Sequence, residues 1–171
     1  AMEYLKEPIR PDEERTQVIN LCRSYKYLGA GYYVSLLAEA RGHKVIPSVR
    51  SLNDLRRRSL YGLDIDDLNH KLTRFLPQEG GDTTDFGILV YFGETSYEPL
   101  RDLARQVFEA FPCPILRIEF ERDRMWQINA IKPAGLHTLT DAQEDGFAAA
   151  LDRFSKKLWR GRRTPKKYRY D

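Results

Sequence analysis

Apolar and polar positions change period several times along the chain, and each change marks an element. Val18-Ile19-Asn20-Leu21-Cys22 is a short apolar run that predicts a first strand. Between residues 32 and 41 the apolar side chains of Tyr33, Leu36, Leu37 and Ala40 recur at helical spacing. Gly42 then stops the helix, with Arg41 and Lys44 suiting the negative end of its dipole. Residues 44–49 predict a second strand, completing the strand–helix–strand unit from which parallel sheets are built. Ser51-Leu52-Asn53-Asp54 resembles a capping box, with Asp in place of Glu, opening a short helix. Ile65, Leu68, Leu72, Phe75 and Leu76 share one face of a further helix, which Gly80-Gly81-Asp82 breaks. Residues 86–92 are nearly all apolar and read as a strand buried on both faces. Pro99 falls in the first turn of a helix that buries Leu100, Leu103, Val107, Phe108 and Phe111, and Pro112 and Pro114 end it. Leu116, Ile118 and Phe120 then alternate with Arg117, Glu119 and Glu121. A polar turn at Arg122-Asp123-Arg124 leads into residues 125–132, the second arm of an antiparallel hairpin. Thr140-Asp141-Ala142-Gln143 is another capping box, and Phe147, Leu151, Phe154 and Leu158 form the buried stripe of the last helix.

These elements predict an α/β fold, with α+β as the alternative: a mixed, mostly parallel sheet of about five strands, a C-terminal antiparallel hairpin and helices on both faces. The chain of 171 residues suits one domain with its own core. Its expected organisation is a lead-in over residues 1–17, with Pro8 and Pro11, a domain over 18–159, and a basic linker over 160–171. Charge sharpens that division. Residues 156–171 hold eight of the 28 basic residues and one of the 25 acids, leaving 20 basic and 24 acidic residues in a mildly acidic body. Arg160, Arg162, Arg163, Lys166 and Lys167, interleaved with Tyr168 and Tyr170, admit a nucleic-acid reading, but the acidic body would repel phosphate backbones. No apolar run reaches the length of a membrane span, and no basic flank with an apolar run opens the chain, so the expected compartment is the cytoplasm. Cys22 and Cys113 make no disulfide framework, and with His43, His70 and His137 they match no zinc spacing, so no metal is expected in this chain.

Candidate chemistry lies in the loops after the strands, where open α/β sheets bind ligands. The loop Cys22-Arg23-Ser24-Tyr25-Lys26-Tyr27-Leu28-Gly29-Ala30-Gly31 joins a strand to a helix and mixes cations, hydroxyls, aromatics and glycines. Two readings stand for it. One is a pocket for a carboxylate or phosphate at the helix N-terminus, with Arg23 and Lys26 adding charge. The other is a tight turn with solvated charges and tyrosines packed on the sheet edge. Gly29-Ala30-Gly31 lacks the third glycine of a dinucleotide fingerprint and the lysine of a P-loop. If the first three strands are parallel neighbours, Arg23, Arg50 and Glu94 converge; otherwise Ser51 caps a helix and Glu94 is solvated. Cys22, before a helix start and beside Arg23, is a candidate nucleophile, set against the commoner buried structural cysteine.

Val18–Tyr25, then Gly31-Tyr32-Tyr33-Val34-Ser35-Leu36-Leu37-Ala38-Glu39-Ala40-Arg41-Gly42-His43-Lys44, Pro47-Ser48-Val49 and Asp54-Leu55 closely resemble the N-terminal domain that precedes a RimK-like ATP-grasp ligase module. A weaker likeness runs through Tyr91-Phe92-Gly93 and the hairpin, and Lys167-Tyr168-Arg169-Tyr170-Asp171 resembles the entry to the next domain. Such domains often carry a further strand before the segment resembling Glu3-Tyr4-Leu5, which leaves strand order open. The resemblance implies a C-terminal ATP-grasp module in the full protein, joining a carboxylate to an amine through an acyl phosphate made with ATP and magnesium. ATP and magnesium are expected for that module, and no cofactor or catalytic residue for this chain.

The first expectation is therefore a non-catalytic accessory domain of an ATP-grasp carboxylate–amine ligase acting on amino acids or peptides. Its partners are the ATP-grasp module and an amino-acid or peptide substrate. Arg23, Tyr25, Tyr32, Tyr33, Arg50 and Glu94 are the candidate ligand-binding residues, Arg23 and Arg50 for a carboxylate. The alternatives are a stand-alone enzyme with Cys22 as nucleophile and an interaction or nucleic-acid-binding module using the basic tail.

Overall fold

The computed structural model describes residues 16–57, 73 and 85–161, the side chains of 158–161 excepted. Strand β1 (Gln17–Ile19), helix α1 (Ala30–Ala40) and strand β2 (Lys44–Ile46) form the expected strand–helix–strand unit. β1 and β2 are parallel, with Gln17 opposite Lys44 and Ile19 opposite Ile46. Gly42, at φ +76°, ends α1, and the His43 amide returns to the Ala38 carbonyl at 3.0 Å. Helix α2 (Val49–Asp54) starts earlier than its sequence suggests. Ser48, not Ser51, is its N-cap and accepts from the Ser51 amide at 3.0 Å, while Ser51 is buried within the helix.

The remaining described elements are β3 (Asp85–Tyr91), a 3-10 turn (Glu98–Leu100), α3 (Arg101–Ala110), β4 (Ile115–Arg122), β5 (Trp126–Pro133), a second 3-10 turn (Leu136–Thr138) and α4 (Asp141–Gly161). β3, β4 and β5 make a separate three-stranded antiparallel sheet in that order. The expectation of one mostly parallel sheet is thus corrected to a two-stranded parallel sheet beside a three-stranded antiparallel one. The physical reason lies in the connection from β3 to β4. Tyr91, which ends β3, faces Ile115, which begins β4, so the chain carrying α3 leaves and re-enters at the same end of the sheet. A parallel pair would need that connection to return to the opposite end.

Alternation decides which face is dry. Leu116, Ile118 and Phe120 are buried and pack with Ile88, Val90, Leu103 and Val107 beneath α3. On the opposite face Arg117 and Glu121 are exposed, and Lys132 reaches Glu119 at 2.6 Å. A second cluster joins Phe92, Ile115, Phe147 and Ala150 to Ile19, Leu21 and Ile46, so α4 and the parallel pair meet over the same end of the sheet. The Thr140 amide donates to Gln143 Oε1 at 3.0 Å, the second half of the expected capping box. α4 continues to Gly161, so the expected linker begins within a helix; residues 162–171, the expected lead-in up to residue 15 and the helix expected at residues 65–76 lie outside the described residues. Among the described residues no helix is long and apolar enough to cross a membrane.

Candidate functional site

Where β1 ends, Asn20 is buried at 2 % exposure and ties four segments together. Its Nδ2 donates to the Gly31 carbonyl at 2.7 Å and to Ser35 Oγ at 2.9 Å, its Oδ1 accepts from the Cys22 amide at 3.1 Å, and its carbonyl accepts from the Tyr25 hydroxyl at 2.6 Å. Ser35 Oγ in turn donates to the Pro47 carbonyl at 2.6 Å. The loop after β1, the first turns of α1 and the exit of β2 are therefore held in one hydrogen-bonded unit. Burial pushes the Tyr25 phenol well above its ordinary range, with negative charge on Cys113 and Cys22 adding to the effect.

The glycines serve this packing. A Cβ on Gly31 would lie 2.4 Å from the Ser24 carbonyl oxygen and 3.0 Å from both Cys22 Cβ and Tyr25 Cδ1. The Gly29 amide closes a turn on the Lys26 carbonyl at 2.9 Å. The tight-turn reading of Gly29 and Gly31 is the one the geometry favours, because the space beside them is filled by protein.

The loop's charged side instead forms one wall of a cleft of ≈ 580 Å³. Arg23, Ser24, Tyr25, Lys26 and Tyr27 line it from the loop, Leu52, Leu55 and Arg56 from α2 and the residues after it, and Ile131, Lys132 and Pro133 from the end of β5. Among the described residues four cations and no carboxylate line this space. Lys132 is paired with Glu119, and among the described residues Arg23, Lys26 and Arg56 have no ion pair. The Arg56 guanidinium sits 5.0 Å over the Tyr27 ring, which meets Tyr32 edge-on at 5.1 Å; Tyr32 meets Tyr33 at 6.0 Å. A concave, partly apolar surface with convergent cations suits an organic anion.

The expected site residues divide between places. Arg23 and Tyr25 line the cleft, Tyr32 is buried behind Tyr27, and Tyr33 is exposed on α1. Arg50 is 93 % exposed and lies 3.6 Å from Asp54. It precedes Leu52 by two positions, about 200° around a helix from the face that lines the cleft. Glu94 lies elsewhere, in a recess with Phe92, Phe108 and Phe154, where it accepts from Arg153 Nε at 2.9 Å and Nη2 at 2.5 Å. The convergence of Arg23, Arg50 and Glu94 is therefore replaced by Arg23, Lys26, Arg56 and Lys132. Arg56 could have been found from its spacing, four residues beyond Leu52 and so on the same face of a helix continued past it, although α2 ends at Asp54 and Arg56 lies in the turn after it. Lys132 carries no such signal, because its place depends on how the two sheets meet.

Cys22 is half-buried and, among the described residues, its thiol has no hydrogen-bonded base. His43 adjoins the opposite end of the β1–β2 pair. Among the described residues the activated-thiol reading thus finds no base of the kind it requires, and His70 lies outside them. Among the described residues no group of three or more His, Cys, Asp or Glu side chains could hold a metal ion.

The family model described as RimK-like ATPgrasp N-terminal domain matches residues 1–150. No curated protein and no solved structure matches the chain.

Proposed function

Because the chain belongs to the RimK-like ATP-grasp N-terminal domain family, we propose that it is the ligand-recognition domain of an ATP-grasp carboxylate–amine ligase. In this reading its cleft holds the carboxylate end of an amino acid or peptide substrate. The observation that carries the reading is the lining itself: Arg23, Lys26, Arg56 and Lys132 converge, and no acid stands among the described residues of the lining. Arg23, Lys26 and Arg56, which have no ion pair among the described residues, repel one another across the cleft, and a bound anion relieves that repulsion. Arg23 and Arg56 offer planar forks that match a carboxylate, and Tyr27 holds Arg56 by its ring. On this proposal ATP and magnesium would serve in a separate ATP-grasp module, and the residues of this cleft would bind and orient the substrate.

The test is a thermal-shift screen of the 171-residue chain against amino acids, short acidic peptides and ATP–magnesium. A ligand that binds only the folded state at a hundred times its Kd stabilises by about 2.7 kcal/mol, or roughly 5–11 °C at this chain length. An acidic amino acid or peptide should produce the shift, and Arg23→Ala and Arg56→Ala should remove it without changing the ligand-free midpoint. A shift with ATP–magnesium alone, or no shift with any anion, refutes the reading.

A further inference from the structure

Helix α1 presents its apolar stripe outward. The spacing of Tyr33, Leu36, Leu37 and Ala40 predicts the buried face, yet the residues buried in α1 are Gly31, Tyr32, Ser35 and Ala38. Tyr33 is 44 % exposed and Leu36 38 %, and in the preceding loop Tyr27 is 58 % and Leu28 56 % exposed. Only one other large apolar side chain among the described residues, Met125, stands out as they do. A shelf of this kind is not what folding alone selects.

Leu28 adds an independent observation. Its φ is +59°, in the left-handed region where a side chain is penalised and glycine is not. Phe92 has a similar φ of +50°, but its ring is buried and stacks on Phe154 at 4.6 Å, so packing offsets the strain. Leu28 has strain and exposure together. Residues held in this way cluster at functional sites.

Tyr27 belongs both to the shelf and to the cationic cleft. The cleft's ≈ 580 Å³ lies in the range that takes ligands the size of a drug or short peptide, larger than one amino acid needs. We infer that cleft and shelf together bind a peptide, its acidic groups against Arg23, Lys26 and Arg56 and a neighbouring aromatic or aliphatic side chain on Leu28, Tyr33 and Leu36. The inference rests on the anion-binding reading of the cleft and narrows its ligand to an acidic peptide with an apolar anchor. Charge complementarity selects that occupant, since a purely apolar partner would leave the adjoining cations unanswered.

The experiment is a fluorescence-anisotropy titration of the 171-residue chain with labelled Glu-Glu-Glu and Glu-Glu-Phe. Both should bind, the second about tenfold more tightly, as expected for partial burial of one phenylalanine. Leu28→Gly should remove the tenfold preference, keep the affinity for Glu-Glu-Glu, and leave the melting temperature unchanged or raised because the strain is gone. Leu36→Ser should reduce the preference in the same way. Equal affinities for the two peptides, or a preference that survives Leu28→Gly, overturns the shelf and leaves the cleft standing. Binding of neither peptide overturns both. Sedimentation showing a dimer that Leu28→Gly dissolves would assign the shelf to a second copy of the chain and also overturn the inference.

Discussion

Asn20→Ala is the sharpest probe of how the candidate site is built. The substitution removes an amide that serves the Gly31 carbonyl, Ser35 Oγ and the Cys22 amide. Not all three partners are left bare. Ser35 Oγ keeps its bond to the Pro47 carbonyl, and the Cys22 amide is only partly buried, so water can reach it. The Gly31 carbonyl is fully buried and loses the shorter bond. One buried group left partly unpaired, with smaller losses at two others, gives about 2–3 kcal/mol, or a fall in melting temperature of roughly 4–12 °C for a chain of this size. Urea unfolding followed by circular dichroism would measure it. Asn20→Asp is the informative companion, being isosteric. Its Oδ1 can still accept from Cys22, but the second oxygen then faces the Gly31 carbonyl instead of donating to it. Burial and that carbonyl disfavour the charged form, so the introduced carboxyl has a folded pKa above its unfolded value of about 3.9. The protonated form folds best. The stability of Asn20→Asp relative to the parent should therefore be lowest near neutral pH and recover as pH falls towards 4. An Asn20→Ala loss within 0.5 kcal/mol of zero, in the range of ordinary surface substitutions, would refute the hub. So would an Asn20→Asp penalty that does not vary between pH 4 and 8.

Other outcomes follow from the same geometry. Gly31→Ala should destabilise by about 1–3 kcal/mol in thermal unfolding, despite the better helix propensity of alanine, because its Cβ meets the Ser24 carbonyl oxygen at 2.4 Å. Gly42→Ala meets no atom within 4 Å and should lose only the roughly 1–2 kcal/mol of a left-handed residue. Cys113 is fully buried and its thiol is pushed up to about 12 by desolvation, so a thiol reagent at pH 8 should modify at most Cys22 in the folded protein and both cysteines in denaturant. Two fast-reacting thiols in the folded state would contradict the burial of Cys113. Tyr25 and Cys113 both ionise less readily in the folded chain than at their ordinary values of 10.0 and 9.0. Their contribution to stability is thus complete below about pH 9 and is lost as pH rises. Tyr25→Phe should flatten the decline in unfolding free energy above pH 10.

The sequence makes local structure legible and leaves the assembly of the two sheets hidden. Alternation of Leu116, Ile118 and Phe120 with Arg117, Glu119 and Glu121 already marks a sheet with one solvated face, which is the habit of antiparallel rather than parallel sheets. The apolar run of β3 obscures that signal. Its Ile88 and Val90 enter the core beneath α3 while Leu89 and Tyr91 pack under α4, so both faces are covered at one end of a sheet that is open at the other. Strand–helix–strand spacing then describes β1–α1–β2 and β3–α3–β4 equally well, although the first connection crosses to the opposite end of its sheet and the second returns to its own. Periodicity reports that a helix has an apolar face; it does not report which neighbour arrives to cover it. In α1 Tyr33 and Leu36 face outward, while Tyr32 packs inward beside Gly31, Ser35 and Ala38, whose small side chains let the helix lie close to Asn20 and the loop.

That inversion explains why the candidate site falls where it does. A helix hydrogen-bonded to Asn20 through Gly31 and Ser35 brings Gly31 so close to the loop that a Cβ there would lie 2.4 Å from the Ser24 carbonyl oxygen. The loop's longer side chains, Arg23, Lys26 and Tyr27, are turned outward, where Arg56 and Lys132 meet them. The same close approach displaces Tyr33 and Leu36 to the surface. The cationic cleft and the apolar shelf are thus two consequences of one packing decision. A substitution that loosens it, such as Asn20→Ala, should weaken anion binding and the apolar preference together, whereas Arg23→Ala and Leu28→Gly should separate them.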